Sequence, residues 1–196
     1  MKNTTKKIII QRKLLHLGLL LPYSIYWYMY GVLGDVLAAN LFLLSVLFVF
    51  FLYEYIRLDL RLRVPFDTLV KPKEMDAPVD GLNLVLTGLV IHNIIPFPIA
   101  VSAMLIGIIG DAFSTLGGLL GEWKVFPSST NKATWEGIFL TLIVNLTLGF
   151  AVLGISWPVV PMAVSAIIIE AMVTKLDDNL VVPIIVGMIG LIFWYV

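Results

Sequence analysis

No cysteine occurs in the 196 residues, so the chain has no disulfide framework, no thiolate metal site and no redox clue to its compartment. Charge is scarce as well. Only 13% of residues are charged against 60% hydrophobic, and the mean hydropathy of +0.99 is more than a soluble domain of this size can cover with polar surface. The 13 basic and 13 acidic residues cancel, which removes any general attraction to nucleic acid. A Walker phosphate loop is missing, because the glycines of "GGLLGEWK" are not followed directly by Lys and Ser or Thr, and no protein-kinase glycine loop or catalytic-loop signature occurs. The basic, then apolar, N-terminus "MKNTTKKIIIQRKLLHLGLLLPY" lacks the small-residue cleavage site of a signal peptide and reads as a retained anchor.

What is present is a series of apolar segments at about residues 14–30, 36–56, 82–95, 98–120, 137–154, 157–174 and 180–196. They predict an all-α integral membrane protein, a bundle of about seven transmembrane helices. Six is the alternative, because the third segment would rise only ~21 Å and "IHNIIPFP" behind it reads as a turn or re-entrant bend that takes in His92. The basic residues support seven. Lys2, Lys6, Lys7, Arg12 and Lys13 precede the first segment; Arg57, Arg61, Arg63, Lys71 and Lys73 follow the second; Lys124 and Lys132 follow the fourth; and Lys175 follows the sixth. The loops "GVLGD", "IHNIIPFP" and "GISWP" hold none. Seven crossings therefore put every Lys and Arg on one side, with the N-terminus cytoplasmic. Of the acids, only Asp35 falls on the opposite side, so the chemistry is expected at the cytoplasmic face. The chain reads as a single polytopic membrane domain over residues 1–196, with cytoplasmic loops at about 57–81 and 121–136. Where the second segment leaves the bilayer, Glu54, Arg57 and Arg61 share a face and read as a snorkelling ion pair.

One charge stands inside an apolar run. In "IIGDAFSTLGGLLGEWK", Asp111, Thr115, Gly118 and Glu122 fall on one helical face, with Gly110, Ser114, Gly117 and Gly121 on the adjacent strip. Close packing of small residues accounts for the glycines. It does not account for Asp111, since a mid-membrane aspartate costs at least ~2.5 kcal/mol and is normally kept for a task. A second acidic group sits in "EAMVTKLDDNLVVP", where Glu170, Thr174 and Asp177 follow helical spacing and Asp178 and Asn179 enter the last segment. Pro183 has no N–H for the carbonyl of Asn179, so this block offers carboxylates and a freed carbonyl, hard oxygen donors of the kind magnesium takes beside substrate phosphates. A helix N-cap would use one of Asp177, Asp178 and Asn179, not three. Between the blocks, "GEWKVFPSSTNKATWEG" carries Lys124, Lys132 and several hydroxyls, with a helix expected to start near Thr134, a setting for a phosphate chain. Arg12, Lys13 and His16 stand where the first helix enters the membrane.

The motifs "RKLLH", "GDAFSTLGGLLGEWKVFP" leading to "KATWEG", and "EAMVTKLDDNLVVP" resemble the CTP-dependent dolichol and polyprenol kinases, whose relatives include phytol kinase and CTP-dependent diacylglycerol kinase. The resemblance implies an all-helical kinase that moves the terminal phosphate of CTP to the hydroxyl of an isoprenoid lipid. Its acidic positions match Asp111 and Asp178, its glycines Gly117 and Gly121, its lysine-bearing loop Lys132, Thr134, Glu136 and Gly137, and its final block Glu170, Asn179 and Pro183. Ala133 stands where the family often has a lysine, so Lys132 takes that role or one phosphate contact is absent.

Phosphoryl transfer requires positioning and charge neutralisation above all. Asp111 and Asp178 are accordingly expected to hold Mg2+, and Gly117, Gly118, Gly121, Lys124, Lys132, Thr134 and Asn179 to bind the nucleotide. Asp111, Glu170 and Glu136 are the candidate catalytic residues, the last two for the alcohol proton. Expected partners are a nucleotide, a lipid alcohol and the membrane, with no nucleic acid and with oligomeric state left open. The alternatives are a membrane cytidylyltransferase making a CDP-lipid and a proton-coupled transporter, the latter less suited to distal loops so poor in charge.

Overall fold

Helix starts and stops follow from local chemistry. In the computed structural model, which describes residues 2–62, 65, 80–123, 125, 134–172 and 177–195, α1 (Lys2–Gly18), α2 (Leu20–Trp27) and a π segment (Tyr28–Val32) follow one another. Gly34, at a φ of +69°, then turns the chain. Asp35 caps α3 (Val36–Leu58), its carboxylate accepting from the Ala38 N–H at 2.9 Å. Next comes α4 (Asp80–Ile94), and Pro96 stands at the N-cap of α5 (Phe97–Leu105). A π segment (Ile106–Gly110) leads from α5 into α6 (Asp111–Leu120). Thr134 caps α7 (Trp135–Leu153), which ends at Gly154 with a φ of +69°. Helix α8 (Val159–Met172) follows, and α9 (Asp178–Trp194) is capped by Asp177, which accepts from the Asn179 N–H at 2.9 Å.

The regular structure is thus helical throughout the described residues, and its stretches coincide with the seven apolar segments. Four helical stretches are long and apolar enough to cross a membrane: Lys6–Val32, Val36–Leu58, Phe97–Leu120 and Trp135–Leu153. Gly81–Ile94, Val159–Met172 and Asp178–Trp194 are apolar but shorter, roughly 21–26 Å against a hydrocarbon core of ~30 Å. Polarity is turned inward on α7. Gly137, Thr141, Asn145 and Gly149 form its buried stripe, while Phe139 and Ile143 are exposed. A soluble helix would show the reverse, and the arrangement is compatible with a multi-pass membrane protein.

Two expectations are corrected. His92 is not in a turn but in the last turn of α4, because the chain needs only a short link before Pro96 restarts it; it is buried, with its ring 5.8 Å from that of Phe97. Glu54 and Arg57 do form an ion pair, but they do not snorkel. One turn apart on α3, they fold toward each other, with Arg57 Nη2 2.6 Å from Glu54 Oε2, and both are buried. Arg61, just past the helix, is exposed at a φ of +51°.

The chain divides into two compact units, Met1–Leu89 and Val90–Val196. In the first, the Tyr23 hydroxyl donates to the Leu84 carbonyl at 2.8 Å, and Tyr23, Tyr26, Ala39, Leu43 and Leu84 are fully buried. In the second, α5, α6, α7, α8, α9 and the π segment at Ile106–Gly110 pack through small residues. Gly117 lies against the backbone of Gly137, and a Cβ on Gly107 would come within 2.6 Å of the Pro183 ring.

Candidate active site

The second unit brings one set of sequence-predicted residues together. Asp111 opens α6, Glu170 stands two residues before the end of α8, and Asp178 and Asn179 form the first turn of α9; all four line one cavity. Gly107 and Gly110 of the π segment, Asn145, and the apolar Ile106, Ala166 and Val182 complete its lining. The volume is about 10 Å³, room for a single water-sized species. Asp111, Glu170 and Asp178 are half-buried, and Asn145 and Asn179 are buried. The spare residue per turn of the π segment sets the register from which Asp111 emerges, and such segments recur at functional sites. Because α9 runs through Pro183, the Asn179 carbonyl has no donor four residues on in its own helix.

Asn145 was not singled out by its sequence. It is 1% exposed, and neither its amide oxygen nor its amide nitrogen has a hydrogen-bond partner within the protein. Such a group costs roughly 1–3 kcal/mol to bury. Its signal was a lone amide in the apolar run "LTLIVNLTLGF", at the third place of the Gly137, Thr141, Asn145, Gly149 stripe. Gly110 makes room for it, since a Cβ there would run into the Asn145 oxygen.

Another set lies elsewhere, at the joint between α6 and α7. Thr134 Oγ1 donates to the Gly117 carbonyl at 3.2 Å and accepts from the Gly137 N–H at 3.1 Å. Glu136 Oε1 accepts from the N–H groups of Glu122 at 3.1 Å and Trp123 at 3.2 Å, and the Trp135 N–H donates to the Trp123 carbonyl at 2.9 Å. A Cβ on Gly121 would strike Thr134, and one on Gly137 would come within 3.1 Å of the Gly118 nitrogen. Gly117, Gly118, Gly121, Thr134 and Glu136 therefore hold two helix ends together, and none of them lines the cavity. Arg12, Lys13 and His16, the last buried, belong to α1 in the first unit. Lys124, Lys132 and Thr174 lie outside the described residues.

The joint yields a test of the two roles of its glycines. Gly117→Ala is expected to destabilise the protein by about 1–3 kcal/mol, because the new methyl meets backbone that cannot rotate away. Thermal unfolding in detergent measures this. A glycine serving only the nucleotide would instead raise KM for the nucleotide at unchanged stability.

Among the described residues, no group of three or more His, Asp or Glu is arranged to hold a metal ion. A magnesium ion does not require one, since it keeps several waters and takes one or two carboxylates beside substrate phosphates. Three acids and two amides around a water-sized cavity can supply that donor set. No protein-family model matches the chain, and no curated protein or solved structure matches it either.

Proposed function

We propose that the protein is a membrane-embedded lipid-alcohol kinase that transfers the terminal phosphate of a nucleoside triphosphate, CTP in the first instance, to the hydroxyl of a polyprenol- or dolichol-type lipid. The observation that carries the proposal is the convergence of Asp111, Glu170 and Asp178, from three different helices, on one cavity in an otherwise apolar bundle. Intramembrane acids are costly, and gathering them is useful where a polar reaction must take place beside lipid. The sequence motifs add the reaction class, and the one-sided distribution of Lys and Arg adds a cytoplasmic orientation of the site.

In this reading Asp111 and Asp178 would hold Mg2+, which when bound would neutralise charge on the nucleotide phosphates. Lys124 and Lys132, outside the described residues, are assigned to the phosphates from the sequence alone. Glu170 accepts the hydroxyl proton as the alcohol oxygen forms its bond to the γ-phosphorus; the bond from that phosphorus to the β-phosphate oxygen breaks, and CDP leaves with the electron pair. Glu170 suits the role better than Glu136, whose carboxylate is already held by two backbone N–H groups away from the cavity.

The deciding experiment incubates the detergent-purified protein with γ-labelled CTP or ATP, Mg2+ and a panel of lipid alcohols. Label on an isoprenoid alcohol with release of CDP is the expected result. Cytidine in the lipid with release of pyrophosphate identifies a cytidylyltransferase instead. Absence of nucleotide binding, together with cation-coupled flux in vesicles, identifies a transporter.

A further inference from the structure

We infer that Asn145 is a direct ligand of the divalent cation, supplying the neutral oxygen of a site whose charged oxygens come from Asp111 and Asp178. The cation itself comes from the proposed function; the added ligand comes from the geometry. Asn145 is buried, faces the cavity that Asp111 and Asp178 line, and has both amide atoms without a hydrogen-bond partner in the protein. Its surroundings select the species that satisfies it. Acids in the same lining disfavour an anion, and the volume suits something the size of a water or an ion.

Charge balance explains why an amide stands at this position. Asp111, Glu170 and Asp178 already give the cavity as much negative charge as a divalent cation can offset, and a fourth carboxylate at residue 145 would add to it in apolar surroundings. The three acids of the cavity do not themselves form a metal-holding cluster, so a neutral oxygen from α7 fills a gap that Glu170 does not. Gly110 belongs to the same device. Any side chain there would displace the Asn145 oxygen from its place.

The test uses the whole chain in detergent, without nucleotide or lipid, with Mn2+ as the probe. Binding is read from the loss of the free-ion paramagnetic resonance signal, and stability from thermal unfolding with and without Mn2+. The wild type is expected to bind Mn2+ and to unfold at a higher temperature in its presence. Asn145→Leu, close in size but apolar, is expected to match or exceed the wild-type unfolding temperature without the cation, since it removes an unpaired buried amide. Its Mn2+ affinity is expected to fall by about tenfold or more, with loss of the stabilising shift. Asn145→Asp, which keeps an oxygen in place, is expected to retain binding, and Gly110→Ala to weaken it as Asn145→Leu does.

Mn2+ binding by Asn145→Leu as tight as that of the wild type overturns the inference, as does a wild type that binds no Mn2+ at millimolar concentration. An Asn145→Leu variant altered only in KM for the alcohol also overturns it, and leaves the kinase reading standing. Conversely, Mn2+ binding that depends on Asn145 and Asp111, in a protein that transfers no phosphate from any nucleotide, upholds the ligand assignment and defeats the kinase.

Discussion

Asp111→Asn is expected to lower the rate of phosphate transfer by about 10²–10³-fold while leaving the protein folded, because it removes charge from the site without removing volume. The two effects separate for a physical reason. Asp111 is half-buried at the end of a π segment inside an apolar helix, so a neutral amide there is no harder to accommodate than the carboxylate. On the proposed reading, what disappears is its contribution to a cation shared with Asp178. Asp178→Asn is expected to fall in the same range, and the double variant to lose little beyond either single one, since groups that act as a unit are not additive. Steady-state transfer at several Mg2+ concentrations checks this, with partial recovery at high Mg2+ as the mark of a weakened ligand set. Undiminished transfer by Asp111→Asn removes that residue from the mechanism.

The Glu54–Arg57 pair leads to an equally large effect with no connection to chemistry. Arg57→Met is expected to cost about 3–5 kcal/mol of stability, because it leaves the Glu54 charge buried without its partner. Glu54→Leu combined with Arg57→Met is expected to recover most of that loss, an apolar pair of similar volume being at least as easy to bury. The full double-mutant cycle, followed by unfolding in detergent, isolates the coupling. A cost below about 1 kcal/mol for Arg57→Met would mark the pair as solvated, as surface pairs are.

The helices were legible in the sequence because apolar composition is an averaged property of twenty or so residues, and single exceptions do not disturb it. Asp111, Glu170, Asp178 and Asn179 were legible because a polar group in such a run stands out, and all four line one cavity. A helix start near Thr134 and a cap among Asp177, Asp178 and Asn179 were legible, but not that Thr134 and Asp177 would serve as the caps. The rest depended on which way a helix face turns. Gly117, Gly121 and Glu136 share a motif with Asp111 or Thr134, yet serve the contact between α6 and α7, and motif membership does not reveal which neighbour a residue meets. Asn145 carries no charge, so it passed as one more polar residue in a span. Nothing in "IGIIG" announces five residues of π geometry, nor that its glycines lie against Pro183 and Asn145 of other helices.

That widened turn has a consequence for how the acid is aimed. Each residue of an α-helix swings the following side chain by about 100°, and a π turn takes up one residue more than an α turn, so the bulge between Leu105 and Asp111 absorbs a residue that a continuous α-helix would have turned into rotation. The bearing of Asp111 is therefore tied to the number of peptide units in the bulge. Removing one residue there is expected to close the bulge into plain α-helix with the acid still on its flank, whereas one residue inserted into the α-helix beside it would swing the acid by about 100°.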